Sequence, residues 1–258
     1  MDEIRDSIKR IGYFTSSQIA ALMTNGKEKD SFGKPALTYI KQKNRERRLG
    51  RSIDNDSNAR PLTWGKMVEA IAFEQLGTSY GLYSNKTLVH PTIDRWSGSP
   101  DGVNHSEPKA VIDLKCPITL NSFCDFADCN TIEDIRANHT SGDTYYWQLV
   151  SNAIICGLDY AELIVYCPYK SELEAIKAMC SPNSLDGEDA HKYAWIYYAS
   201  DDELPWIPDG GFYKNMNVFR FEVSSEDKQA LTDRVIRAGS LLTNRIKPIE
   251  PLLEINKQ

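Results

Sequence analysis

"GSPDGVNHSEPKAVIDLKCP", residues 98–117, decides how the fold is read. A Pro-Asp-Gly turn and a polar loop lead into Val-Ile-Asp-Leu-Lys-Cys, a segment apolar and β-branched enough for a buried strand. Side chains at i and i+2 of a strand share a face, so Asp113 and Lys115 project side by side from a core-like segment. Buried charge is costly unless it is paired or binds a metal. Asp101 and Asp113 lie twelve residues apart across one turn, a spacing that lets neighbouring strands bring the two carboxylates together.

Two carboxylates beside a lysine suit a hard divalent cation such as Mg²⁺, which prefers oxygen ligands and keeps several waters. Phosphodiester hydrolysis uses such ions, often in pairs, to generate a hydroxide and to stabilise the leaving oxygen. Lys115 could orient the attacking water and offset phosphoryl charge. Each motif also has a plainer reading. Ser-Pro-Asp-Gly is a good β-turn, and Asp-x-Lys is a common alternation on an exposed strand. Their order, with Asp-x-Lys inside an apolar strand, favours chemistry. "WGKMVEAIAFE" adds Glu69 on a helix upstream as a third carboxylate. "YYWQLVSNAIICG" adds Gln148 on a buried helix, on one face with Tyr145 and Asn152. Gln148 is either a satisfied core amide or a residue facing the cleft.

The whole chain sets bounds. With 258 residues and 41% hydrophobic content it can bury a large core, and one domain is expected over 1–258. No run reaches the ~18 apolar residues of a membrane span, and the charged N-terminus lacks a signal-peptide apolar region. A soluble, cytoplasmic protein is expected. Six cysteines without a CxxC pair give no support to a zinc ribbon or iron–sulfur cluster. Cys124 and Cys129 are a weak metal pair, and reduced structural thiols are the better reading. The net charge of −6 argues against a general nucleic-acid coat. Even so, "KQKNRERRLGR", residues 41–51, holds six basic residues and one acidic one. Taken alone, that is a solvated helix face.

Periodicity predicts a helix over "SSQIAALM" capped by Ser16 or Ser17 and stopped at Asn25-Gly26, and a second ending at Gly50. "RSIDNDSNARP" has loop composition. A third helix carries Met67, Ile71 and their neighbours inward and has Gly77 near its end. Short strands follow in "YSNKTLVH", "RWSGSPDG" and "AVIDLKCP". Then come the buried helix 143–157, a strand "YAELIVYCP" and a helix "SELEAIKAMC". A Pro/Gly/Asp-rich stretch runs from about Ser181 to Gly211, ahead of a strand "VFRFEV" and a last helix. The order predicts a mixed α/β core, with a central sheet flanked by helices and a helical N-terminal layer.

The run WG-x-x-x-E, then SPDG, then IDLKCP, then a Tyr/Trp-Gln helix resembles the phage lambda exonuclease family, also called YqaJ-type recombinases. These belong to the PD-(D/E)xK nuclease superfamily, with its restriction-endonuclease-like core. The resemblance runs from about Phe14 to Pro168, so the core lies at about 14–170 with a C-terminal extension over 171–258. It implies a Mg²⁺-dependent (or Mn²⁺-dependent) 5′-to-3′ exonuclease on linear double-stranded DNA, with two ions, leaving 3′ single-stranded overhangs for recombination. By position it makes Glu69, Asp101, Asp113 and the Leu114 carbonyl metal ligands, Lys115 the water-orienting lysine and Gln148 the glutamine lining the site. Ser99 matches a serine that holds a terminal 5′-phosphate. The family's arginine at that phosphate has no counterpart in the 27–34 loop, where Lys27, Lys29 or Lys34 would substitute as point charges. A family aspartate about ten residues before Asp101 is also missing, and Asp94 is out of register. The basic run, with Arg45 and Arg48, then becomes a set of phosphate contacts. A ring-shaped homotrimer, a single-strand annealing partner and a bacterial or phage-infected host cell are further implications.

Three rival readings stay open: an endonuclease of the same superfamily, a non-catalytic DNA-binding relative, and an unrelated α/β protein whose motifs are turns and core. A nuclease with an iron–sulfur cluster is disfavoured, because no four-cysteine set brackets the core.

Overall fold

In the computed structural model, residues 10–53, 59–83 and 87–242 are described. The apolar strand that opens the argument, Ala110–Lys115 (β6), is the centre of a five-stranded sheet. Its order is β2 (Tyr80–Leu82), β5 (Gly102–Asn104), β6, β7 (Tyr160–Tyr166) and β8 (Met216–Glu222). β6 and β7 run parallel and the other pairs antiparallel, which makes the sheet mixed, as expected. A second, three-stranded sheet orders β1 (Phe14–Thr15), β4 (Trp96–Gly98) and β3 (Leu88–Val89).

Strand parity divides the core in two. Val111 of β6 and Ala161, Leu163 and Val165 of β7 face one apolar cluster, and Ile112, Leu114, Ile164 and Tyr166 face the other. The first cluster takes in the 3-10 helix Ser16–Met23 and helices α1 (Lys34–Leu49) and α5 (Gly142–Cys156). It also takes in α8 (Ser225–Ser240), near the end of the described chain. The second is covered by α2 (Arg60–Gln75), α6 (Lys170–Met179) and α7 (Gly187–Tyr198). Asp113 and Lys115 share the parity of Val111, so they point into the layer that holds α5.

Several local expectations change. The helix after Thr15 is 3-10, and neither serine caps it: Thr15 stands at its N-cap without a side-chain capping bond. The Ser16 hydroxyl pairs with Ser151 Oγ at 2.8 Å instead, and Trp96 Nε1 donates to the same oxygen at 2.8 Å. α1 ends as expected, with Gly50 in the left-handed region at φ 67°. On α2 the buried residues are Thr63, Trp64, Val68, Ala72 and Phe73, and Met67 and Ile71 pack partly buried against the same cluster. Two short helices between the central strand and α5, α3 (Leu120–Ala127) and α4 (Ile132–Asn138), start at threonine caps that periodicity passes over. α7 forms inside the Pro/Gly/Asp-rich stretch, where Trp195 Nε1 donates to Thr63 Oγ1 of α2 at 2.9 Å. Parts of the 51–61 loop, of the "YSNKTLVH" segment and of the last predicted helix lie outside the described residues. Among those described, no helix is long and apolar enough to cross a membrane.

The basic run divides by burial. Lys41, Arg45, Arg48 and Arg51 are exposed, but Lys43 is buried and paired with Glu46 at 3.1 Å. The other Glu46 oxygen also accepts the Gly12 N–H at 2.8 Å, which ties the segment before β1 to α1. Breaking a buried pair from one side leaves an uncompensated charge, at a cost of about 3–5 kcal/mol. Glu46→Ala should lower unfolding stability by that order in urea titration. A loss below about 1 kcal/mol would mean that solvent reaches Lys43.

Candidate active site

β5 and β6 pair with Gly102 opposite Ile112, which sets the preceding Asp101 beside Asp113. The Asp101 N–H donates to the Ile112 carbonyl at 3.2 Å, and Asp101 Oδ2 accepts the Leu114 N–H at 2.6 Å. Antiparallel pairing therefore brings the two carboxylates of the opening stretch together. Asp113 is only 1% exposed. Gln148 Nε2, projecting from α5, donates to Asp113 Oδ1 at 2.5 Å, so the amide faces the carboxylates. Lys115 Nζ lies 2.5 Å from Asp113 Oδ2. That buried oxygen meets the lysine as an ion pair and accepts no other hydrogen bond. The same ammonium sits 5.4 Å from the centroid of the Tyr145 ring, one helical turn before Gln148.

The electrostatics show a surplus of negative charge. Burial, then the Asp113 carboxylate and Glu69, raise the Asp101 pKa well above the usual carboxylate range, against the pull of Lys115 and the Leu114 N–H. Glu69 is also raised, by burial first and then by Asp113, with Lys115 opposing. For Lys115, burial favours the neutral amine, but Asp113 and Asp101 outweigh it and the pKa is raised. The lysine is therefore a fixed cation at neutral pH. Cys116, next in the chain, is pushed up by burial and then by Glu69, which keeps it a thiol.

Buried hard oxygen donors that repel one another, with a single cation between them, fit a divalent cation. Asp101 and Asp113 supply the centre of such a site. Glu69 comes from α2, in the opposite layer, and senses both Asp113 and Lys115. Among the described residues, no three His, Cys, Asp or Glu side chains stand close enough to share one ion. Glu69 thus faces the pair electrostatically without closing a three-carboxylate set. Cys124 and Cys129 lie elsewhere, and the Cys129 thiol donates to the Asp125 carbonyl at 3.2 Å.

Next to the carboxylates is a cavity of about 200 Å³, lined by Arg10, Ser17, Ser97, Ser99 and Gln148, among others. Gln148 belongs to both places. The Ser99 hydroxyl pairs with Thr87 Oγ1 at 3.1 Å, and the buried Ser97 hydroxyl has no hydrogen-bond partner. Gly98 is required here, because a Cβ would come within 2.4 Å of both Asn152 Oδ1 and Ser16 Oγ. The loop lysines are not part of this cavity. Lys27 and Lys29 are exposed. Lys34 borders a larger groove of about 1080 Å³ with Ser17, Thr38 and Trp147. Arg10 lines this cavity together with Ser99. Its only sequence signal is a basic residue just ahead of the Thr-Ser-Ser run, and chain order does not connect that run to Ser99. Arg45 and Arg48 lie exposed on α1, outside the lining of either cavity. Asp94 is exposed and pairs with its neighbour Arg95 at 3.0 Å.

A central mixed sheet flanked by helices is the architecture of alkaline exonuclease structures, a PD-(D/E)xK-like fold. The chain belongs to the YqaJ-like viral recombinase family, whose domain model matches residues 7–159. That is a family of phage-type exonucleases, and the chain is a deoxyribonuclease of this kind. Among solved structures it is similar to LHK-Exo, an alkaline exonuclease from Laribacter hongkongensis. The TM-score is 0.54 at 17% identity, over 93% of this chain and 94% of that one. The complex of LHK-Exo with dAMP gives 0.56 at 17% identity, over 93% and 92%. A phage-related exonuclease from Haemophilus somnus 129PT gives 0.55 at 12% identity, over 89% and 93%. At these identities the likeness is one of fold. No curated protein matches the chain.

The raised Asp101 has a consequence for stability. Its folded pKa lies above the unfolded one, so the folded state holds the proton more tightly. Ionised Asp101 therefore costs stability, a cost that grows as pH rises from the ordinary carboxylate range to the raised value and then levels off. In the metal-free protein, Asp101→Asn should raise the melting temperature at neutral pH, and the gain should vanish as pH falls to about 4. Thermal unfolding in EDTA across that range is the measurement. A gain independent of pH would show that charge is not the cause.

Proposed function

We propose that this chain is a Mg²⁺-dependent 5′-to-3′ exonuclease acting on the ends of linear double-stranded DNA and leaving 3′ overhangs. The observation that carries the reading is a single side chain, Gln148, which joins the Asp101–Asp113–Lys115 centre to the small cavity of Arg10, Ser17 and Ser99. The cavity has room for a terminal phosphate and a few waters, at roughly 30 Å³ per water, and not for a continuing duplex. That limit supports an enzyme that begins at an end rather than one that cuts internally. On this reading a 5′-phosphate meets the Arg10 guanidinium and the Ser99 and Ser17 hydroxyls, and the scissile bond falls near Asp113.

Asp101 and Asp113, with Glu69 and the Leu114 carbonyl, would hold two divalent ions, Mg²⁺ or Mn²⁺. When bound, such ions lower the pKa of a water and stabilise charge on the attacking and leaving oxygens. The protein's own groups do the rest. Lys115, a cation fixed by its neighbours, orients the water and offsets charge growing on the phosphoryl oxygens. Gln148 holds Asp113 Oδ1 and so fixes the carboxylate's orientation, with Oδ2 turned to Lys115. The exposed bases of α1, Arg45 and Arg48 among them, together with Lys27 and Lys29 of the loop, contact backbone phosphates without reading sequence. The reading includes one nuclease domain over the whole chain, supported by the packing of α8 into the same core as the N-terminal layer. A homotrimer ring, a single-strand annealing partner and a cytoplasmic site of action come with it from the family resemblance.

The test is digestion of linear duplex DNA with and without a 5′-phosphate, beside closed circular DNA, in Mg²⁺ and in EDTA. We expect loss of the 5′-ended strand only on linear substrate and only with metal. Cutting of the closed circle would sink the end-dependent reading.

Lys115→Ala should lower kcat by about a hundred- to a thousandfold while metal binding, followed by calorimetry, is retained. Equal kcat in the two proteins would return Lys115 to a structural ion pair.

Arg10→Ala should remove most of the preference for a 5′-phosphate. That preference rests on a charge-assisted bond worth about 1.5–3 kcal/mol, or roughly ten- to a hundredfold in initial rate. An undiminished preference in the variant would place the phosphate elsewhere.

A further inference from the structure

The loop between the 3-10 helix and α1 is held from the far end of the chain. Asn25 and Phe32 pair across it as an isolated antiparallel bridge. Between them Asp30 has φ 62°, a left-handed conformation that side-chain-bearing residues rarely adopt. Two arginines of α8 hold this shape. The Arg234 guanidinium donates to the Thr24 carbonyl at 3.0 Å and to Asn25 Oδ1 at 2.7 Å. It also donates to the carbonyls of Asp30 and Ser31, each at 3.3 Å. Arg237 donates to the Asp30 carbonyl as well. Both guanidinium groups lie over the Phe32 ring, with centroid distances of 4.7 and 5.2 Å.

A planar, multidentate cation suits this task, since one rigid fork can collect several carbonyl oxygens that face one point. The arrangement is also costly. Arg234 is only 7% exposed, and burial, then its neighbour Arg237, lower its pKa. Two crowded cations of one helix therefore converge on one loop. The loop carries Lys27 and Lys29 outward, and its first residues, Thr24 and Asn25, line the larger groove along with Ser17. α8 lies outside the matched family domain, residues 7–159.

We propose that Arg234 and Arg237 are positioning residues for the DNA interface: α8 locks the 24–33 loop in the one conformation that presents Lys27 and Lys29 to the duplex beside the active site. The inference rests on the reading of duplex DNA as substrate. Free of its clamp, the loop would have to be ordered each time DNA binds, and that ordering entropy would weaken binding without touching the chemical step.

The test pairs a measurement without DNA with one that uses it. Limited trypsin digestion of the whole protein, read by mass spectrometry, reports cleavage after Lys27 and Lys29. Arg234→Ala should speed that cleavage at least tenfold and Arg237→Ala by less. Arg237 is exposed, so its variant keeps the test alive if Arg234→Ala fails to fold. Arg234→Lys should not restore protection, because a point charge cannot span the four acceptors. On linear duplex, KM should rise at least fivefold in the Ala variants with kcat within twofold. Unchanged proteolysis would overturn the clamp whether or not the chain digests DNA. Faster proteolysis with unchanged KM, or a fall in kcat alone, would overturn its role at the DNA interface. Inactivity of the unaltered protein would instead remove the substrate reading, and the proposal with it.

Discussion

A carboxylate with 1% exposure at the centre of a five-stranded sheet is the constraint around which this molecule is arranged. Asp113 cannot turn to solvent, because β5 and β7 flank its strand and α5 covers its face. One of its oxygens is held by Gln148, and the other is paired with the Lys115 ammonium at 2.5 Å. Buried charge is costly unless it is paired. The expense is compounded by Asp101, which antiparallel pairing places alongside. The protein compensates with one cation, which leaves net negative charge at the site and a raised Asp101. The same imbalance that makes the metal-free site unfavourable suits it to a doubly charged ion.

The layers around the sheet keep that arrangement in register. α5 is anchored at several points: Gln148 on Asp113, Ser151 between Ser16 and Trp96, and Asn152 against Gly98. Those contacts tie the carboxylate centre to the 3-10 helix and to β4, which frame the small cavity. The buried Lys43–Glu46 pair extends the chain of support to Gly12, and so to the segment that brings Arg10 to the cavity. Site and cavity are thus two ends of one packed unit, which is why a change of one methyl group at Gly98 would be felt in both. α8 adds a brace from outside the family domain and holds the 24–33 loop through Arg234 and Arg237.

The split of the basic run shows how composition misleads about charge. Six cations close together in sequence suggest a DNA track. A helix rotates each successive side chain by about 100°, so some of them must face inward. Lys43 does, and it serves packing, while Arg45 and Arg48 remain outside. The same geometry decides α2, where Trp64, Val68 and Ala72 form the buried stripe and Glu69 stands at its edge.

By itself the sequence determined the central strand, the shared face of Asp113 and Lys115, the nearness of Asp101 across a single turn, and the helix that carries Gln148. These are local facts. Side-chain alternation has period two in a strand, one turn links neighbouring strands, and Gly50 ends α1 as its left-handed φ requires. Tertiary structure alone decided which residues meet over long separations. Arg10 and Ser17 reach Ser99, the loop lysines do not, and Glu69 approaches from the opposite layer without closing a ligand set. It also made α7 from a stretch rich in Pro, Gly and Asp, because Trp195 had a partner on α2. Spacing along a chain specifies neighbours within an element or across a turn. Contacts between elements depend on how whole layers stack, and no local pattern of residues carries that information.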